Sequence, residues 1–175
     1  MSIDIGHFYF IIDQYFDDFQ DKYLMQNKQT TNCQIHNRPF FSAFVENNTG
    51  LYWMIPFSSQ IEKYQTIYDK KIKDYGRCDT IAFGDVLGHR KAFLIQNMCP
   101  ANKLYLSHEY IDKGNSIPVR LNGKFERKLI QQATRVLALH RNGTRLIFPD
   151  VLGIEQSLLH QSQIVSNKKC IYLDN

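Results

Sequence analysis

The chain reads as an α+β protein with a mostly antiparallel sheet. Three observations predict this. Short aromatic and β-branched runs dominate the first two thirds of the sequence. Turn residues such as Asn47-Asn48-Thr49-Gly50 join neighbouring runs into hairpins. The longest amphipathic stretch comes only after these runs, between Gly123 and Arg141.

The elements follow in order. His7 to Ile12 is aromatic and β-branched, hence a strand. Asp13 is placed to cap a short helix to Leu24, with Tyr15, Phe16, Phe19 and Tyr23 at helical spacing. Met25 to Asn37 is polar and aperiodic, and reads as a loop. Arg38 to Val45 and Leu51 to Phe57 form a hairpin about the Asn47-Asn48-Thr49-Gly50 turn, the second strand ending at Pro56, where a ladder donor is absent. Ser59 and Glu62 have the spacing of a capping box, so a helix should start there and run along Ile61, Tyr64, Tyr68 and Ile72 to about Gly76. Thr80 to Phe83 and Lys91 to Met98 read as strands around a Gly88-His89-Arg90 turn, with another strand at Lys103 to Ser107. Phe125, Leu129, Ala133, Val136, Leu137 and His140 stripe the long helix, which Asn142-Gly143 ends, and a shorter helix is expected from Asp150 to His160.

At 175 residues, with 43% apolar, 13% aromatic and 22% charged positions, the chain suits one globular domain over residues 1–175. The formal net charge is +4. Its distribution is uneven. Asp4, Asp13, Asp17, Asp18 and Asp21 face only Lys22 near the start, whereas Arg120, Lys124, Arg127, Lys128, Arg135, Arg141 and Arg145 face only Glu126. A basic face able to follow a phosphate backbone is one reading; a solvated helix face is the other. Cys33, Cys78, Cys99 and Cys170 form no CxxC pair, and no His or Cys has metal-ligand spacing, so neither a disulfide framework nor a metal site is expected and a reducing, cytoplasmic setting fits. No leader pattern and no run of about 20 apolar residues is present, so no membrane partner is expected.

The hairpin running directly into a serine-rich helix start carries a family resemblance. Met54-Ile55-Pro56-Phe57-Ser58-Ser59 resembles the Pro-(Leu/Phe)-(Ser/Thr)-Ser element of type III toxin–antitoxin toxins, the ToxN/AbiQ family, and lies nearest its CptN branch. The early aromatic strand at Phe8-Tyr9, Arg38 ahead of the serine pair, Met98-Cys99-Pro100, and the helix from Lys124 to Arg141 fall in the family's order, over roughly residues 8 to 160. The resemblance implies a compact, strongly twisted sheet related to the MazF/CcdB toxin barrel, with flanking helices. It also implies an endoribonuclease acting without metal or other cofactor. The implied partners are substrate mRNA and an antitoxin RNA pseudoknot, which the toxin cuts from a repeat transcript and which holds it in a closed protein–RNA hetero-oligomer. A non-catalytic RNA-binding module and a MazF-like toxin held by a protein antitoxin are the alternatives.

Cleavage of this kind uses the RNA 2′-hydroxyl as nucleophile and leaves 2′,3′-cyclic phosphate and 5′-hydroxyl ends. The protein must stabilise the phosphorane and move two protons. Ser58 and Ser59 stand where a helix N-terminus offers N–H groups to a phosphate; the bland alternative is that Ser59 only caps the helix. Lys63 lies one turn after Ser59 and is the candidate cation, although the family's lysine follows the serine by two or three residues, positions held here by Ile61 and Glu62. Glu62 either competes with phosphate or accepts a proton. The lysine role could otherwise fall to Lys70 or Lys71. Arg38 could grip a phosphate with its fork, or be a plain edge residue. His36 could shuttle a proton, while His140 reads as a satisfied core histidine and His7, His108 and His160 give no signal. Candidate RNA contacts are Lys70, Lys71, His89, Arg90, Lys91, Arg120, Lys124, Arg127, Lys128 and Arg135, with Tyr75 a candidate for stacking; Tyr64 and Tyr68 suit a half-buried core better.

Overall fold

The structure, a computed structural model, describes residues 2–31 and 34–173, with side chains of residues 29–36 and 164–173 left aside. Its strands are β1 (Phe8–Ile11), β2 (Lys28–Thr31), β3 (Gln34–Asn37), β4 (Pro39–Val45), β5 (Tyr52–Ser58), β6 (Ile81–Val86), β7 (His89–Leu94), β8 (Cys99–Ala101) and β9 (Leu106–Glu109). Its helices are α1 (Asp13–Asp18), α2 (Ile61–Tyr75), α3 (Gly123–Arg141) and α4 (Val151–Leu173). Seven strands form one sheet in the order β6-β7-β5-β4-β1-β9, with β8 alongside β5, and every pairing is antiparallel. The expected α+β class with a mostly antiparallel sheet and helices following it is the class observed.

β5 is the strand on which the others converge. It pairs β4 over most of its length (Phe40↔Pro56 to Val45↔Tyr52), β8 at its first half (Tyr52↔Ala101, Trp53↔Pro100, Met54↔Cys99), and β7 at its end (Phe57↔Phe93, Ser58↔Ala92). The strand therefore continues through Pro56 to Ser58 rather than ending at the proline. Pro56 falls in the gap between the β8 and β7 ladders, where its missing N–H removes no bond on that side.

One sheet face buries Phe8, Phe41, Trp53, Ile55 and Phe93 against Leu129, Ala133, Val136 and Leu137 of α3, the stripe read from the sequence. The other face buries Tyr9, Phe40, Met54 and Cys99 against Tyr15 and Phe16 of α1 and Ile154 and Leu158 of α4. Tyr64 of α2 packs on Ile81, Ala92 and Leu94 of the β6–β7 hairpin. At about 25 cal/mol per Å² of apolar area, each such buried aromatic stabilises the fold by a few kcal/mol, the chief favourable contribution to a sheet this rich in rings.

Several expectations change. Residues 25–37 are not simply a loop, since β2 and β3 pair from Lys28↔Asn37 to Thr31↔Gln34 as a separate two-stranded sheet. Among the described strands this hairpin pairs only with itself, so its register is set apart from that of the main sheet. α1 stops at Asp18, not Leu24, and Asp13 does not cap it: Ile12 holds the cap position, and the Asp13 carboxylate binds Asn27 and Lys28 instead. The β6–β7 turn is Leu87-Gly88, both with positive φ (51° and 76°), so His89 and Arg90 belong to a strand. Lys91 to Met98 breaks into β7 and a 3₁₀ turn at Ile95–Asn97, and residues 103–107 begin with a 3₁₀ turn before β9. α4 extends well past His160, to Leu173.

Candidate active site

The C-terminal end of β5 delivers Ser58 and Ser59 to the start of α2. Ser58 is buried at 3% exposure, and its Oγ accepts a hydrogen bond from the Gln60 N–H at 3.2 Å. The expected capping box between Ser59 and Glu62 does not form: Gln60 occupies the cap position with no side-chain bond to the helix. Ser59 stands one residue too early for that task. Its Oγ instead accepts from Lys91 Nζ at 2.7 Å.

That bond follows from the sheet. Ser58 pairs Ala92 across β5 and β7, so the next residue in each direction, Ser59 and Lys91, leaves the ladder side by side. The serine and Lys63 line one open surface depression of about 460 Å³ together with Gln60, Ile61 and Glu62. Lys63 is exposed, its ammonium lying 5.4 Å from the Tyr64 ring centroid. The first-turn N–H groups of a helix have no intrahelical partners and carry partial positive charge, which adds to the two ammonium groups.

The arrangement can hold a phosphate and strengthen its grip as negative charge grows. An ammonium that donates to Ser59 Oγ leaves the hydroxyl hydrogen free to point outward, as a donor to an oxyanion. The same bond makes the serine a poor nucleophile. Cys99 offers no nucleophile either, because complete burial pushes its thiol up to about 12. Among the described residues no group of three His, Cys, Asp or Glu side chains could hold a metal ion, and no helix is long and apolar enough to cross a membrane.

Arg38 lies two residues before Phe40, and Ser58 two after Pro56, the paired residue on the adjacent strand. Its guanidinium is half-buried, and NH1 donates to the Gln26 carbonyl at 3.0 Å. Burial pulls its pKa below the ordinary arginine value, opposed by the charge of the nearby Tyr64 hydroxyl. It is thus built into the wall under α2 rather than held out as an open fork. His36 sits on β3 opposite Gln29, and its side chain lies outside the described residues.

A further set of exposed bases lies on α3. Gly84 pairs Lys91 across the β6–β7 ladder, and a Cβ at Gly84 would lie 2.2 Å from the Phe125 ring. Phe125 therefore seats the start of α3 over this hairpin, and Lys124, Arg127 and Lys128 beside it in the sequence are exposed. His89 and Arg90 extend the same strand; Arg90 lies over Phe83 at 4.7 Å and donates to Gln65 at 3.2 Å. The Asn122 side chain caps α3 by accepting from the Lys124 N–H at 3.0 Å.

Other candidates are not brought to the site. Lys71 is drawn inward, donating to Thr80 Oγ1 at 2.6 Å and Gln96 Oε1 at 2.9 Å, and burial lowers its pKa. It is a structural cation, not an open RNA contact. Lys70 and Tyr75 lie toward the far end of α2, Tyr75 about 21 Å along the helix from Ile61, though Tyr75 is well exposed at 76%. Tyr64 is buried and Tyr68 packs on Phe83, as their spacing suggested. Arg135 faces Asp79 at 3.7 Å. Arg120 faces Glu126 at 3.7 Å and also bonds His7, whose other ring nitrogen meets Glu109. His7 gave no signal in the sequence because its partners are more than 100 residues away. Lys91 was legible as a basic residue, but its partnership with Ser59 required the β5–β7 register.

No family model and no curated protein matches the chain. Among solved structures, the chain is similar to AbiQ, a lactococcal anti-phage endoribonuclease belonging to the type III toxin–antitoxin system. The two are 14% identical, the superposition covers 94% of this chain and 82% of that one, and the TM-score is 0.46.

Proposed function

We propose that this chain is a metal-independent endoribonuclease toxin of the type III toxin–antitoxin kind, acting on mRNA in the cytoplasm. The observation that carries the proposal is the Ser59–Lys91 pair at the positive start of α2, beside Lys63. In this reading the scissile phosphate sits over Ser59. The RNA 2′-oxygen attacks phosphorus, its proton leaving to Glu62 or solvent. Lys91, Lys63, the Ser59 hydroxyl and first-turn N–H groups stabilise the phosphorane oxygens. The P–O5′ bond then breaks, the 5′-oxygen takes a proton, and 2′,3′-cyclic phosphate and 5′-hydroxyl ends result. Atoms balance without a metal-bound hydroxide.

The exposed bases of α3 offer the RNA backbone further contacts. The sequence resemblance supports the remainder of the proposal: a repeat-derived RNA pseudoknot, processed by the toxin, that inhibits it within a closed protein–RNA assembly used in phage defence.

The test is to incubate purified protein with long cellular RNA in EDTA and map the ends. Cuts carrying the expected ends, lost in Ser59→Ala, support the reading. Folded, RNA-free protein that binds the RNA but leaves it intact would make the chain an RNA-binding module instead.

A further inference from the structure

A second cavity, of about 280 Å³, opens at the end of β1, between Ser107 and His108 of β9 and the residues Asn27, Lys28 and Asn37 at the base of the β2–β3 hairpin. Phe10 and His108 form one wall, their ring centroids 4.6 Å apart and their planes tilted by 31°. Tyr110 braces Phe10 edge-on at 5.8 Å. Ser107 and Asn37 add polar side chains, and the one lysine and one acid lining it, Lys28 and Asp13, are paired with each other. A cavity with a flat ring wall, neutral hydrogen-bonding groups and internally compensated charge suits an uncharged planar group better than a phosphate.

Its position links it to the serine pair. Phe10 pairs Pro39 across β1 and β4, while Phe57 immediately precedes Ser58 on β5, the strand beyond β4. Phe8 packs edge-on against Phe57 at 5.6 Å, and Phe10, two residues on, shares that sheet face. Two strand spacings, about 10 Å, separate Phe10 from Phe57, a gap that a nucleotide held at Ser59 or its neighbour bridges.

We propose that the Phe10–His108 cavity is a nucleobase subsite, taking one unpaired base of the RNA strand whose phosphate lies at Ser59. The inference rests on the ribonuclease reading for the identity of that strand. Phe10 and His108 supply the stacking surface. Asn37 and Ser107 face the base edge, so this wall, rather than the serine pair, sets any preference for sequence beside the cut.

The test is a thermodynamic cycle. Affinity is measured by fluorescence anisotropy for a labelled unpaired oligoribonucleotide and for a set carrying one abasic position each, on Ser59→Ala protein with and without His108→Ala. His108→Ala, and separately Phe10→Leu, should weaken the intact oligonucleotide roughly five- to a hundredfold. Against one abasic probe the same substitutions should cost nothing more. Unchanged affinity in both variants, or losses that simply multiply for every abasic position, overturns the subsite. The ribonuclease reading fails separately: if the cycle on Ser59→Ala protein gives the expected losses but wild-type protein never cuts, that reading is lost and the base pocket kept. Protein that cuts while the losses multiply keeps the reading and loses the pocket.

Discussion

Lys91 Nζ donates to Ser59 Oγ at 2.7 Å across 32 residues of sequence. The bond fixes both the rotamer of the serine and the location of a positive charge, so the two groups should act as one unit on the phosphorane. Lys91→Met should lower single-turnover cleavage roughly 100- to 1000-fold, the usual cost of one preorganised donor, while weakening RNA binding only as the loss of one charge does. Lys91→Arg should recover part of the rate. Wild-type turnover in Lys91→Met would remove Lys91 from the chemistry and return the cation role to Lys63.

Lys70 and Lys71 are neighbours in sequence with opposite fates. Lys71 supplies the donor for Thr80 and Gln96, both only 4% exposed. Lys71→Met removes the donor shared by both groups, leaving the Thr80 hydroxyl bonded to Gln96 Oε1 at 3.3 Å, and should destabilise the protein by about 1 kcal/mol, seen as a lower urea midpoint. Lys70→Met should leave the midpoint unchanged. Equal midpoints for the two variants would show that the inward geometry of Lys71 has no energetic weight.

His140 ties down the chain after α3. Its Nδ1 accepts from the Leu146 and Ile147 N–H groups at 3.3 and 3.2 Å. Burial lowers its pKa below the usual histidine value of 6.5, Arg145 lowers it further, and Asp150 partly opposes. A base with a depressed folded pKa gives stability that is complete above the unfolded value and is lost as pH falls through the folded one. Thermal midpoints should therefore decline as pH drops below about 6.5, and His140→Gln should flatten that part of the profile. A slope identical in the variant would assign the acid sensitivity elsewhere.

Arg141 clamps two acids at once, Glu46 Oε1 at 2.6 Å and Glu155 Oε1 at 2.6 Å, while lying 5.6 Å from the Trp53 ring centroid. It joins the ends of β4, α3 and α4. Both carboxylates are largely buried, so Arg141→Ala leaves them unpaired and should cost about 3 kcal/mol near neutral pH. Arg141 holds the Glu46 carboxyl below its ordinary 4.5. This contribution is present above that value and disappears as pH falls through the lower folded pKa, so the wild-type advantage over Arg141→Ala should shrink below about pH 4.5. An advantage constant down to pH 3 would mean that packing on Trp53, not charge pairing, is what Arg141 provides.

The parts of the fold with a one-sided burial pattern were legible. The stripe of α3 predicted its span, and Gly76, in the left-handed region at φ 72°, ends α2 where the sequence placed it. Local motifs misled where a distant partner competed for the same atom. Asp13 and Ser59 both look like helix caps, yet Lys28 and Asn27 take the first and Lys91 takes the second. The sequence put Ser58 and Ser59 at the start of α2, where they lie; the contact of Ser59 with Lys91 was not legible, because a contact between residues 59 and 91 is written in sheet register rather than in spacing. His108 and Phe10 are ordinary in the sequence for the same reason.

β5 passes from β8 to β7 around Pro56, with β4 paired beside it from Tyr52 to Pro56. Met54 is paired on both flanks, to Ser42 of β4 and Cys99 of β8, whereas Ser58 is held by its ladder to Ala92 of β7. Amide exchange at Met54 and Ile55 should proceed only through whole-molecule opening, at the same rate limit as the deepest core. If the depression at Ser59 is the RNA site proposed above, a partner that covers it meets a floor held by the β5–β7 ladder.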